Sequence, residues 1–263
     1  MNRLNKLQSF FRNHPFVFAF FVLVASRIAG GITIQAVQMV RPGLTVENDL
    51  GWLLMTVYAS VAVSLVYWTD IAKEIGLKKP HSYKEWLFAL PLLILPLYIL
   101  SEKGISSWGL SQNLVLLIAA IGVSVNEEVI FRGILLNAFL KRWGKWVAVF
   151  VPSILFAFTH TTNVIAGGDT MYAIYQTLWT FAGGVILAGI RIRTGSLYPV
   201  ILFHFVLDFV EYFATGNYGV HSEPYATTLL IPIVIMSIVL MVYTIILLFK
   251  SNDLKQKDSN YSL

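Results

Sequence analysis

The stretch VNEEVIFRGI, residues 125–134, places two adjacent glutamates and an arginine inside an apolar run. NLVLLIAAIGVS precedes it and LLNAFL follows it. A charge at the centre of a bilayer costs about 2.5–3.5 kcal/mol by insertion scales. Glu127, Glu128 and Arg132 put three such groups within six residues, so whatever surrounds this stretch must offset them.

The surroundings are those of a membrane protein. The chain has 263 residues, of which 57% are hydrophobic and 13% charged. Soluble domains carry about 25% charged residues. The polar segments are too short to bury a core of their own. With no cysteine, disulfides, thiol catalysis and cysteine-type zinc sites are excluded. Apolar segments of spanning length read as 15–40, 50–69, 85–101, 112–140, 146–163, 171–190, 196–213 and 227–249. The expected fold is therefore all-α and polytopic, with about eight transmembrane helices. The third segment is short and contains Pro91 and Pro96. The first apolar run continues far past the length of a signal peptide's core and reads as a retained span. The whole chain, 1–263, reads as one integral membrane domain, with a polar, mobile cytoplasmic tail over 250–263.

Charge placement tests that count. With the N-terminus in the cytoplasm, the inner segments hold Arg3, Lys6 and Arg12; Lys73, Lys78, Lys79 and Lys84; Lys141, Arg142 and Lys145; Arg191 and Arg193; and Lys250, Lys255 and Lys257. These are fifteen of nineteen basic residues, against Arg41 and Lys103 outside, and a wrong span count would scramble the asymmetry. The net charge of +5 thus reads as membrane orientation and not as a nucleic-acid surface. Both termini are expected in the cytoplasm.

On a helix, Glu128 and Arg132 are four apart, share a face and can pair. Glu127 is rotated by about 100° from Glu128. It needs another partner, which suits a proton acceptor in a reaction. Two more polar intrusions interrupt apolar spans: FAFTH ends at His160, and HFVLD sets His204 and Asp208 one turn apart. Glu128 lies fourteen residues from Arg142, His160 fourteen from Trp146, and Asp208 fifteen from Arg193, all counted from the inner side. At 1.5 Å per residue, fourteen residues are about 21 Å. Matched depth on three helices points to one shared intramembrane site.

EEVIFR (127–132), FAFTH (156–160) and HFVLD (204–208) occur in the order of the motifs EExxxR, FxxxH and HxxxN or HxxxD. In these the chain resembles the type II CAAX prenyl endopeptidases, also called the CPBP or Abi family of intramembrane proteases. RTGSLYPVILFH, ahead of the third motif, adds to the resemblance, which covers a catalytic core at 112–213. It implies endoproteolysis at the bilayer. Glu127 and His160 would activate the attacking water, His204 and Asp208 would stabilise the oxyanion or position the substrate carbonyl, Glu128 and Arg132 would form a supporting ion pair, and Phe156 would pack the site. Relatives often carry Asn where this chain has Asp208, and an ionised carboxylate only accepts hydrogen bonds. Asp208 is therefore expected to orient His204 or to help hold a metal.

The family's metalloprotease label makes Zn²⁺ an alternative, with Glu127, His160, His204 and Asp208 as ligands. HExxH is absent, and a metal-free glutamate mechanism is preferred, with no cofactor required. Expected partners are the lipid bilayer and a peptide or protein substrate, such as a lipidated protein, a signalling peptide or a bacteriocin, and no nucleic acid. A proton-coupled transporter would use the same buried groups but predicts an internal inverted repeat, which the sequence lacks. A non-catalytic immunity or scaffold protein is the remaining alternative. Arg27 is expected to face the bundle or snorkel, and Glu211 to lie at the interface. Gly183, Gly184 and Gly189 are expected to allow close helix packing. His14, His81 and His221 read as solvated loop residues.

Overall fold

In the computed structural model, the described residues are 5–106, 108–165, 167–216, 218 and 227–260; Arg3 and His221 lie outside them. Helices dominate, and no strand occurs among the described residues. A short helix, α1 (Lys6–Asn13), precedes α2 (Pro15–Val40) and α3 (Gly51–Trp68). A 3₁₀ segment, Tyr83–Leu93, leads into α4 (Ile94–Lys103). α5 (Leu110–Glu128) passes through a π-helical segment, Val129–Leu135, into α6 (Leu136–Trp143). α7 (Lys145–Ile165), α8 (Thr170–Thr194), α9 (Tyr198–Thr215) and α10 (Thr227–Asn260) complete the chain.

Eight of these runs are long and apolar enough to cross a membrane: Pro15–Val40, Gly51–Trp68, Trp86–Lys103, Leu110–Trp143, Lys145–Ile165, Thr170–Thr194, Tyr198–Thr215 and Thr227–Phe249. They agree with the sequence spans within a few residues, and the fold is an all-α polytopic membrane bundle. Hydroxyl side chains do not interrupt the spans because they bond back along their own helix. Ser26 donates to Val22, Ser153 to Val149, Thr180 to Gln176 and Thr244 to Leu240. Such bonds satisfy polar groups where no water reaches.

Two departures from regular α-helix within the spans have different origins. In the third span, Pro91 falls inside the 3₁₀ segment and supplies no N–H for the ladder. In the fourth, the π segment begins directly after Glu128, and six of its seven residues, Val129–Ile134, are buried. π turns inside α-helices commonly mark functional sites. The last helix runs on to Asn260.

α1 is fixed by a capping box between Asn5 and Gln8, and Gln8 reaches the Trp68 carbonyl. Leu7 and Phe10 are exposed while Phe11 is buried, the pattern of a helix lying along a membrane surface. α2 packs on α3, α3 on α5, α5 on α9, α7 on α8 and α8 on α10. Around the π segment, Val129, Ile130 and Ile134 join Phe18, Val66, Phe156 and Leu197 in one apolar core.

The segment after α3 clasps the turn between α8 and α9. The Leu197 N–H donates to Gly76 O at 2.7 Å, the His81 N–H to Thr194 O at 2.8 Å, and Ser196 Oγ to Lys78 O at 2.6 Å. Buried Arg191 donates from Nε to Ile75 O at 3.2 Å. Gly195 ends α8 at φ +66°, a left-handed conformation that glycine adopts without the Cβ penalty. Pro199 then opens α9 in its first turn, where its missing N–H costs nothing. This junction sets the start of α9, and so the level at which His204 meets α5.

Orientation is testable independently of any activity. Reporter fusions at Lys79, Lys145 and Arg193 are expected to read as cytoplasmic, and fusions at Ser106, Gly168 and Tyr218 as external. A cytoplasmic reading at Gly168 would show that α7 and α8 do not both cross.

Candidate active site

Glu128 is the centre of the polar cluster and is fully buried. Its Oε1 accepts from Arg132 Nη1 at 2.8 Å, one turn on, and from His204 Nδ1 on α9 at 2.6 Å. Because the carboxylate only accepts, Nδ1 of His204 carries the proton. Arg132 is 1% exposed, and its guanidinium stacks 4.2 Å above the Phe156 ring of α7. One carboxylate thus ties together α5, the π segment and α9, and its arginine reaches α7.

With Nδ1 fixed, the other nitrogen of His204 has a defined outlook. Nε2 lies 3.6 Å from Glu127 Oε2 and 3.4 Å from Asp208 Oδ2. These are close charge contacts, longer than ordinary hydrogen bonds. Both carboxylate oxygens are buried and have no protein hydrogen-bond partner among the described residues. Two acceptors of this kind converging on one imidazole nitrogen form a locus for a donor-bearing reactant.

His160 enters from α7. Its Nδ1 meets the Phe156 carbonyl at 3.1 Å, which accepts, leaving Nε2 as the basic nitrogen. The Phe156 ring lies at a steep angle to both imidazoles, with centroids 4.9 Å from His160 and 6.1 Å from His204. His160, His204 and Asp208 line one cavity of about 130 Å³, together with Trp179 and Gly183 of α8 and Glu211 of α9.

The structure therefore brings Glu127, Glu128, Arg132, Phe156, His204 and Asp208 into contact, and joins His160 to them through Phe156 and the shared cavity. Glu128 holds His204 as well as Arg132, and Asp208 faces Nε2 of His204 while Glu128 occupies Nδ1. Glu211 is a cavity residue that accepts from the Tyr172 hydroxyl at 3.1 Å. The spacing of His204, Asp208 and Glu211 at i, i+4 and i+7 was the signal for it. Of the three glycines, Gly184 and Gly189 are packing sites: a Cβ at Gly184 would lie 2.8 Å from Ser153 Cβ, and one at Gly189 would collide with Thr244. Gly183 is not, because nothing lies within 4 Å of its would-be Cβ.

Among the described residues no group of three or more His, Asp or Glu side chains is placed to hold a metal ion. Nδ1 of His204 is turned to Glu128 and Nδ1 of His160 to a backbone carbonyl, which leaves Nε2 as the outward nitrogen of each. Elsewhere, Arg27 stacks 3.9 Å over the Tyr58 ring, which accounts for its place in a span. His14 stacks on Phe10, and His81 is exposed.

Residues 109–210 match the family model described as Type II CAAX prenyl endopeptidase Rce1-like. A protein of Escherichia coli described as an uncharacterized 24.3 kDa protein is 36% identical over 97 residues, 35% of this chain and 39% of that relative. The chain thus matches well under two thirds of that relative's length. The matched residues 109–210 hold Glu127, Glu128, Arg132, Phe156, His160, His204 and Asp208, so the likeness to the Rce1-like family covers the polar cluster itself.

Proposed function

We propose that the chain is an intramembrane endopeptidase that hydrolyses a peptide bond of a membrane-associated peptide or protein. The observation that carries this reading is the imidazole of His204, fixed through Nδ1 by a buried carboxylate and facing two further carboxylates at the edge of a cavity. The Rce1-like match over the same residues supports it. In this reading 112–213 is the catalytic core of a single membrane domain, and both termini lie in the cytoplasm.

The chemistry follows from proton positions. Glu127 accepts a proton from a water as the water oxygen attacks the carbonyl carbon, and His160 Nε2 helps align that water. The carbonyl oxygen becomes an oxyanion. A proton on His204 Nε2 hydrogen-bonds to it, and Glu128 and Arg132 keep the ring from turning away. The C–N bond then breaks, and the proton held by Glu127 passes to the leaving amine. The products are a new amine and a new carboxylic acid, which ionises by releasing its proton. No step in this sequence needs a metal. Asp208 positions His204 from the Nε2 side, a role that asparagine can fill by hydrogen bonding.

The two adjacent glutamates separate in this mechanism. Glu127→Gln is expected to abolish cleavage with thermal stability near that of the wild type. Glu128→Gln is expected to lower both, because it leaves Arg132 without a charge partner and weakens the hold on His204. Breaking a buried pair costs about 3–5 kcal/mol. Denaturation of the two purified variants checks this, and equal losses of stability would contradict the division of roles.

Asp208→Asn separates the metal-free mechanism from a zinc one. Asparagine donates as well as accepts, so substantial activity is expected to remain and to survive chelation. As a ligand change, the same substitution would remove an anionic donor and weaken metal binding. Metal content measured alongside activity decides the point. Stoichiometric zinc, lost together with activity on chelation and in Asp208→Asn, would overturn the metal-free mechanism.

A further inference from the structure

Gly183 stands out because the fold gives it no packing role. Glycine within a helix is destabilising relative to alanine, and in membrane helices it is usually repaid by close approach of a neighbour. Gly184 and Gly189 have such neighbours in Ser153 and Thr244, whereas at Gly183 a side chain would project into open space. That space is the cavity of His160, His204 and Asp208.

Position along the bundle brings Gly183 level with the reacting groups. α8 and α9 run antiparallel across the short turn at Gly195. The Tyr172 hydroxyl meets Glu211 near one end of the pair, and Ile186, Leu187 and Ile190 pack with Val200 and Phe203 near the other. Between these two contacts, Gly183 faces the turn of α9 that carries His204, Leu207 and Asp208. Trp179 and Leu187, one turn to either side of Gly183, also line the cavity, as do Leu95 of α4 and Ile233 of α10. The nearby Thr180 hydroxyl donates to Gln176 O, so it adds little polarity to the wall.

We propose that this wall is an apolar subsite that takes a large aliphatic or aromatic side chain of the substrate beside the scissile bond, and that the absent side chain at Gly183 sets its size. The proposal rests on the protease reading of the same cavity. A chain that fills the space over Gly183 is removed from water among Trp179, Leu187 and Leu207, while its backbone carbonyl lies at the level of His204. A side chain added at position 183 would occupy the same volume without disturbing the helices, because it meets no protein atom.

The full-length chain, purified in mild detergent, is incubated with a library of short synthetic peptides of varied sequence, and cut bonds are identified by mass spectrometry. The wild type is expected to prefer bonds with Leu, Ile, Met, Phe or Trp at one flanking position. Gly183→Leu is expected to lose those cuts at least about tenfold relative to cuts with Ala or Ser at that position. Its thermal stability should match the wild type, and Gly183→Ala should fall between the two in selectivity. Unchanged relative rates in Gly183→Leu, or a wild type without the preference, would overturn the proposal. A second readout needs no cleavage. The chain has no cysteine, so Gly183→Cys carries a single thiol. With each rate divided by that reagent's rate with free glutathione, N-phenylmaleimide is expected to label it faster than a sulfonated methanethiosulfonate does. Failure to label overturns the subsite itself. Labelling with no peptide cut by any variant contradicts the protease reading, and with it the subsite's role in substrate choice.

Discussion

The arrangement depends on one buried carboxylate. Glu128 has no exposure to solvent and accepts from Arg132 and His204 through a single oxygen. Removing such a group from water is unfavourable, and only close, well-directed partners offset the loss. Arg132 answers from one turn away on the same run, and His204 answers from another helix. That second bond joins residues 76 apart in sequence and fixes α9 against α5. Since His204 is held at Nδ1, only Nε2 is left to face Glu127 and Asp208. The orientation of His204, and with it the contacts of Nε2 with Glu127 and Asp208, therefore traces back to Glu128, although Glu128 itself need not touch the substrate.

The fold supplies what this carboxylate requires. The π segment after Glu128 carries Arg132 among Val129, Ile130 and Ile134, within the apolar core that includes Phe18, Val66 and Leu197. The clasp between the segment after α3 and the turn at Gly195 fixes the start of α9, and so the depth of His204. Phe156 presents its face to Arg132 and its surroundings to both imidazoles. A dry, crowded setting of this kind strengthens each electrostatic contact inside it. The same setting leaves one side open, toward the cavity where a substrate chain can lie.

Much of this was legible in the sequence, for identifiable reasons. Spanning length and apolarity are local properties, so the eight spans agree with the helices to within a few residues. Matched depth placed Glu128, His160 and Asp208 at one level, because helical rise is constant. Contacts between helices were not legible. Glu128 read as a partner of Arg132 alone, since spacing along one helix says nothing of a histidine on another. The π segment was hidden because it changes backbone bonding without changing hydrophobicity. Glu211 was misread from its place near a span end, although it shares a face with His204 and Asp208. Gly183 read like its neighbours, since only the packed structure shows which glycine faces a helix and which faces empty volume.

The central claim is that His204, oriented by Glu128, acts in peptide-bond hydrolysis at this site. The most direct measurement places the purified full-length wild type and His204→Gln in liposomes at equal density, with a mixture of membrane-associated peptides, and counts new termini by mass spectrometry in ¹⁸O-labelled water. The account expects new carboxyl termini bearing ¹⁸O with the wild type and none above background with His204→Gln, whose folded content should be retained. New labelled termini appearing equally with His204→Gln would contradict it.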